Sequence, residues 1–115
     1  MTTFFAESVH DYENDVKNSG NSICTFVKFS ASWCSPCNKI QPTIDKWCEE
    51  NHYDFFIVDI DCHEEITESE NITSIPFFIC YSKGVKIDSF QGSDDNSVLN
   101  FLNSCVNNVS GEENW

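Results

Sequence analysis

Short β-rich hydrophobic runs alternate with amphipathic helical patterns along this chain. The runs cover residues 23–29, 55–60 and 75–81, and a hairpin signal at Ser82-Lys83-Gly84 leads into a further strand over 85–91. Helical patterns cover 8–18, about 37–50, 64–71 and 94–107. The first run, residues 23–29, is almost continuously apolar, which is typical of a central strand covered on both faces. The alternation predicts an α/β fold.

The length of the chain, 115 residues, is that of one domain that folds without disulfide bonds. Hydrophobic residues make up 40% of the sequence and include ten Phe, which is enough for a real core. We expect the domain to cover 1–109 and a polar tail to cover 110–115.

The charge balance is strongly acidic, with 19 Asp and Glu against 6 Lys and a formal net charge of −13. A protein surface that binds the phosphate groups of a nucleic acid or an anionic membrane needs clustered cations. We therefore expect no nucleic acid and no anionic membrane as partner. The excess of carboxylates fits either basic protein partners or solubility alone.

The amino-terminal residues carry no basic segment of the export type, and the apolar runs are far shorter than the ~20 residues of a membrane span. These features predict a cytoplasmic protein.

The seven cysteines are an odd number, which argues against a secreted disulfide framework. Cys24 and Cys80 lie in strand-like runs, and Cys48 and Cys105 lie in helical patterns. We interpret these four as buried thiols that pack as small hydrophobic groups. The sequence assigns no role to Cys62.

Cys34 and Cys37 form a C-x-x-C pair that follows a buried strand and begins a helix. Zinc would require a second ligand pair, and the nearest candidates, Cys62 and His63, are adjacent and lie beyond a strand. We therefore expect no metal site and interpret the pair as a redox dithiol.

Thiol–disulfide exchange requires one reactive thiolate and one sheltered partner within bonding distance. Cys34, at the helix amino terminus, should be partly exposed with a pKa below that of a free thiol, and Cys37, one turn inside, should be buried. Pro36 stiffens the turn and removes one N–H donor, and Trp33 adds an apolar ledge beside the thiol.

Ile75-Pro76 opens a buried strand, where proline is hard to place unless the preceding bond is cis or the strand lies at an edge. We predict a cis bond that faces the Cys34 sulfur and presents backbone to a substrate peptide.

The segment Phe29-Ser30-Ala31-Ser32-Trp33-Cys34-Ser35-Pro36-Cys37 resembles the active-site segment of the thioredoxins. The resemblance extends over about residues 3–107, with further matches at Pro42, Ile75-Pro76, Asp59-Ile60-Asp61, Lys83-Gly84 and Gly92.

This resemblance implies a thioredoxin fold, a central mixed sheet of four to five strands flanked by about four helices. It implies a protein-disulfide reductase in which Cys34 attacks and Cys37 resolves the mixed disulfide. No bound cofactor is expected beyond the Cys34–Cys37 disulfide itself. The implied partners are disulfide-containing proteins and a thioredoxin reductase or other dithiol donor, and we expect a monomer. Asp61 matches a carboxylate that orients the active-site tryptophan, Trp33.

The chain departs from the thioredoxins at three positions. Ser35 replaces the usual glycine, Lys28 replaces the buried acid six residues before the first cysteine, and Ile57 stands where many members have a lysine. A buried ammonium is costly, so Lys28 should be neutral, reach water or pair with a carboxylate, for which Asp59 is a candidate.

Two other functions remain open. One is an oxidase or isomerase, which needs a more oxidising pair. The other is a thioredoxin-like binding or assembly module with weak redox turnover, favoured by Lys28 and the acidic charge, whereas Trp33, both cysteines and Pro76 favour the reductase.

Overall fold

The strands and helices follow the predicted alternation. The computed structural model describes residues 3–5, 24–51, 53 and 55–113. The elements in chain order are β1 (Thr3–Phe5), β2 (Thr25–Ser30), α1 (Ser35–Asn51), β3 (Phe55–Asp59), α2 (Glu64–Ser69), β4 (Phe77–Ser82), β5 (Val85–Gln91) and α3 (Asp95–Glu113). The helix predicted over 8–18 lies outside the described residues.

The last helix is longer than the sequence pattern predicts. The apolar spacing stops near Cys105, which led to a predicted end at Asn107, but α3 continues through polar residues to Glu113. The predicted end is therefore wrong. The division into a domain over 1–109 and a tail over 110–115 stays a prediction, and α3 runs across that boundary.

The five strands form one mixed sheet in the order β1-β3-β2-β4-β5. Strands β1, β3 and β2 are parallel, whereas β4 is antiparallel to β2 and β5 is antiparallel to β4. Because β2 and β3 are parallel neighbours, the chain must cross over between them, and α1 makes that crossover. This arrangement places the β2–α1 junction at the carboxyl end of the central strand.

The core lies on both faces of the sheet, since side chains alternate along each strand. The α1 and α3 face is filled by aromatic, aliphatic and cysteine side chains: Cys24, Phe26, Ile40, Ile44, Trp47, Cys48, Phe55, Phe78, Cys80, Val98, Phe101, Leu102 and Cys105. The opposite face contains Val27, Phe29, Val58, Ile66, Ile79 and Tyr81. With a side-chain period of two, Lys28 points to the same face as Cys24 and Phe26, beneath α1.

The four cysteines predicted to be packing residues are buried. Hydrogen bonding with the side chains of Cys105 and Cys24, together with burial, raises the pKa of Cys80 far above its ordinary range. A thiol held in its protonated form is unreactive, so Cys80 packs as an apolar group. Cys24, Cys48 and Cys105 are enclosed in the same core cluster. Cys62 is exposed.

None of the helices in the described part of the chain combines the length and the apolar character that a membrane span requires.

Candidate active site

The site begins at the turn that connects the central strand to α1. The Cys34 N–H donates to the Ala31 carbonyl at 3.1 Å, and the Cys34 carbonyl accepts from the Asn38 N–H at 3.1 Å. Cys34 therefore occupies the amino-terminal cap of α1, whose first residue is Ser35. Unpaired backbone N–H groups at this end favour a negative charge.

Cys34 and Cys37 are joined by a disulfide, with their Cα atoms 5.3 Å apart. The Cys37 N–H donates to the Cys34 sulfur at 3.3 Å. The same N–H is available to stabilise a Cys34 thiolate once the disulfide is reduced.

Both cysteines are buried, Cys34 with 4% and Cys37 with 0% of its surface exposed. The prediction for Cys37 is confirmed, and the prediction that Cys34 is partly exposed is wrong for this oxidised form. Its sulfur is bonded to Cys37 and the pair packs against Ala31, Ile60 and Ile75, which removes it from water.

The Ile75–Pro76 peptide bond is cis, as predicted. Ile75 packs against the cluster that contains both cysteines, and Pro76 itself is buried at the entrance to β4. The proline segment and the disulfide therefore belong to one surface of the molecule.

Trp33 is the large hydrophobic side chain beside the disulfide, and 65% of its surface is exposed. Its indole Nε1 donates to Asp61 Oδ2 at 2.7 Å. The contact that the resemblance implies between these residues is present.

Ser35 and Pro36 are exposed in the first turn of α1, a position that tolerates proline because its missing N–H would be unpaired there. Pro42 lies inside the same helix.

Lys28 lies beneath α1 and is almost completely buried, with 2% of its surface exposed. Its Nζ donates to the Cys37 carbonyl oxygen at 2.8 Å and to Gln41 Oε1 at 2.6 Å. The Gln41 amide continues the contact, since its Nε2 donates to Asp45 Oδ1 at 2.8 Å. A chain of hydrogen bonds thus joins Lys28 to an exposed carboxylate.

Burial lowers the pKa of Lys28 from 10.5 to about 8, and the Asp45 carboxylate opposes this shift. Of the three expectations for Lys28, extension to the outer surface is wrong, because only 2% of the residue is exposed and it reaches no further than the wall of a cleft beneath the helix. Asp59 as its hydrogen-bond partner is also wrong. Asp59 lies two positions beyond Ile57, the β3 neighbour of Lys28, and its Oδ1 accepts from the Asp61 N–H at 2.9 Å.

Gln41 is the contact that the sequence reasoning missed. It lies four residues after Cys37, one helical turn along the same face of α1, and that spacing is the signal that could have identified it.

A cleft of ≈ 280 Å³ opens beside these residues, lined by Lys28, Ser30, Ala31, Ser32, Asn38, Gln41, Ile57 and Asp59. Across the described ranges, no group of three or more His, Cys, Asp or Glu side chains is arranged to hold a metal ion.

The mixed sheet carries a disulfide at the amino terminus of a crossover helix, beside an exposed tryptophan and a cis-proline segment. These features together define a dithiol–disulfide exchange protein. Comparison with known proteins gives the family. The Thioredoxin family model matches residues 3–104. The chain belongs to the thioredoxin family and is at that level a thiol–disulfide oxidoreductase.

Individual relatives agree with this assignment. Thioredoxin 1 of Plasmodium falciparum is 39% identical over 78 residues, covering 66% of this chain and 74% of its own length. The thioredoxin of Ictalurus punctatus is 30% identical over 100 residues, covering 84% of this chain and 92% of its own. The crystal structure of reduced Schistosoma mansoni thioredoxin superimposes with a TM-score of 0.81 at 27% identity, over 90% of this chain and 98% of that one.

Proposed function

We propose that this protein reduces disulfide bonds in protein substrates. The observation that supports the proposal best is the Cys34–Cys37 pair at the start of α1, where the Cys37 N–H points at the Cys34 sulfur. In the reduced protein, Cys34 attacks a substrate disulfide as the thiolate and forms a mixed disulfide. Cys37 then displaces the substrate thiolate and regenerates the Cys34–Cys37 bond.

The surroundings of the pair suit an extended substrate. Trp33 offers an exposed apolar surface next to Cys34, and Ile75, which precedes Pro76, packs against the disulfide. In this proposal these three residues bind the substrate backbone, and Ser35 and Pro36 shape the turn. Asp61 holds the Trp33 ring through the indole hydrogen bond.

The electron donor in this proposal is a thioredoxin reductase or another dithiol, and the protein acts as a monomer without a bound cofactor. We place it in the cytoplasm, because five of its seven cysteines are free thiols, as expected in a reducing compartment.

Insulin reduction tests the proposal, first with dithiothreitol and then with a thioredoxin reductase and NADPH as donor. Turbidity from the released insulin chains should develop much faster with the protein than without it, and Cys34→Ser should remove the effect. The matched control is Cys62→Ser, which changes an exposed thiol on a neighbouring loop. No acceleration by the folded, reduced protein would contradict the proposal.

A second candidate is a thioredoxin-like binding or assembly module with slow turnover, and the burial of Lys28 beneath Cys37 favours it. An ionised carboxylate at this position accepts a proton at neutral pH more readily than a lysine does. If Lys28 limits the cycle, Lys28→Asp should raise insulin turnover near neutral pH, and Lys39→Asp on the exposed face of α1 serves as the control. Equal turnover in the two folded variants would remove this candidate.

A further inference from the structure

Glu70 places a carboxylate against the sheet face that α2 covers. It follows the last residue of α2, and only 5% of its side chain is exposed. The Tyr81 hydroxyl donates to Glu70 Oε2 at 2.5 Å, and Lys86 Nζ lies 3.4 Å from the same oxygen. A buried carboxylate is costly unless charge-assisted hydrogen bonds compensate for its lost hydration. These contacts therefore fix the carboxyl end of α2 to β4 and β5.

The segment after α2, residues 71–76, leads directly to the disulfide. Tyr81 lies four positions beyond Phe77, the first residue of β4, which is about 13 Å along a strand. The segment therefore leaves α2 near one end of β4 and returns to the other end. Ile72 and Ile75 pack against the cluster that contains Tyr81, and Ile75 also packs against the cluster of both cysteines. The position of the segment beside the disulfide thus depends on where its first residue is held.

The two ends of this segment are held by different contacts. At the far end, the Gly92 N–H donates to the Pro76 carbonyl at 3.3 Å. At the near end, the Asn71 and Ile72 N–H groups donate to carbonyls of α2 at 3.1 Å, and Asn71 has a φ of 58°, which turns the chain away from the helix. The Glu70 carboxylate joins this turn to the sheet.

We propose that Glu70 is a positioning residue for substrate binding. Through Tyr81 and Lys86 it fixes the start of segment 71–76, and with it the Ile75 backbone beside the disulfide. This inference rests on the proposed function, in which the substrate binds against that backbone.

A positioning role predicts a difference between large and small disulfides. An extended protein substrate must bind along the segment as well as reach the Cys34 sulfur, whereas a small aromatic disulfide needs only the sulfur. Loosening the segment should therefore weaken binding of the protein and leave the attack on the small reagent unchanged.

Tyr81→Phe is the first test, because it removes one hydroxyl and keeps the ring in the core. The KM for insulin reduction should rise about 5-fold with kcat nearly unchanged. The small reagent is 5,5′-dithiobis(2-nitrobenzoic acid), and the first release of thionitrobenzoate by the reduced protein should stay within about 2-fold of the wild-type rate. A Cys62→Ser background removes the exposed thiol. The control is Tyr53→Phe, on the opposite face of the sheet, which should change neither value.

Two variants of Glu70 separate its hydrogen bond from its charge. The amide oxygen of Glu70→Gln still accepts from the Tyr81 hydroxyl, and the ion pair with Lys86 contributes little because that side chain is 46% exposed. Glu70→Gln should therefore keep most of the wild-type affinity for insulin, whereas Glu70→Ala should raise KM about 10-fold. Glu68→Ala, an exposed glutamate of α2, is the control.

Hydrogen exchange shows whether the effect is local. In oxidised Tyr81→Phe, the Asn71 and Ile72 amides should exchange about 10-fold faster than in the wild type, and the amides of the central strand β2 should change less. The same increase in β2 would show a general loss of stability and would overturn the inference. This measurement tests the attachment of the segment without any substrate.

Unchanged KM values in folded Tyr81→Phe and Glu70→Ala would also overturn the inference, as would an equal loss of rate with insulin and with the small reagent. Failure of the proposed function is a different result, in which the wild type attacks the small reagent but does not accelerate insulin reduction. Tyr81→Phe and Glu70→Gln are conservative changes that keep the test decisive if Glu70→Ala does not fold.

Discussion

The indole of Trp33 is hydrogen-bonded to the carboxylate of Asp61, from Nε1 to Oδ2 at 2.7 Å, across 28 positions of sequence. Trp33 lies before α1 and Asp61 lies after β3, so the contact joins the two loops at the carboxyl ends of the central parallel strands. Because both side chains are exposed, the bond serves to orient the ring more than to stabilise the fold.

Asp61→Asn should therefore lower activity with little effect on stability. A weaker acceptor leaves the Trp33 ring freer, and a loss of about 0.5–1 kcal/mol corresponds to a roughly 2- to 5-fold lower kcat/KM for insulin reduction. Asp88→Asn, an exposed aspartate on β5, is the control. Equal kcat/KM values for the two variants would show that Asp61 does not position Trp33.

The roles of the two cysteines predict different products from the two serine variants. Cys37→Ser should accumulate mixed disulfides with substrate proteins, because Cys34 still attacks and nothing resolves the bond. Cys34→Ser should accumulate none. Non-reducing electrophoresis and mass spectrometry identify the adducts, and adducts on Cys37 in the Cys34→Ser protein would reverse the assignment.

The burial of Lys28 predicts a pH dependence of stability. Its pKa is about 8 in the folded protein and about 10.5 when unfolded, so the unfolded chain binds more protons between these values. Stability should therefore rise with pH across this window. The cost of burying the ammonium is fully present below pH 8 and disappears above pH 10.5, and a shift of this size corresponds to at most about 3 kcal/mol.

Lys28→Met should remove this dependence. At pH 7 the variant avoids the burial cost but loses two hydrogen bonds of about 1 kcal/mol each, so it should be slightly more stable than the wild type. At pH 10 it should be less stable. Urea unfolding of the oxidised proteins at both values gives the difference, with Lys39→Met as the control for losing an exposed lysine. The same stability difference at pH 7 and pH 10 would contradict the prediction.

The Trp47 indole provides a test of the packing between α1 and α3. Its Nε1 donates to Asn103 Oδ1 at 2.9 Å, while the ring is 4% exposed. Asn103→Ala should leave this buried donor unpaired and lower the free energy of unfolding by about 1–2 kcal/mol. The control is Asn100→Ala on the exposed side of α3, which makes the same change in helix propensity. Chemical denaturation gives the free energy of unfolding of both variants. Equal stabilities would show that water replaces the lost acceptor.

Strands β2 to β5, the long crossover helix and the dithiol turn are local features, and their hydrophobic periods and the C-x-x-C spacing predict them correctly. The surroundings of Lys28 are different, because they depend on how α1 lies across the sheet. Strand alternation alone points Lys28 towards Asp59, but the helix above the sheet brings Gln41 closer. The continuation of α3 beyond Asn107 was likewise unpredictable from an apolar pattern that had already ended.

The uneven burial of the cysteines gives this protein a distinctive thiol stoichiometry. All seven are within the described ranges, and in the oxidised native form Cys62 is the exposed free thiol while four others are enclosed in the core. An aromatic disulfide reagent should titrate one rapid equivalent in the native oxidised protein and five after denaturation. The ratio of these two absorbance readings therefore reports the folded fraction of a preparation without any added label.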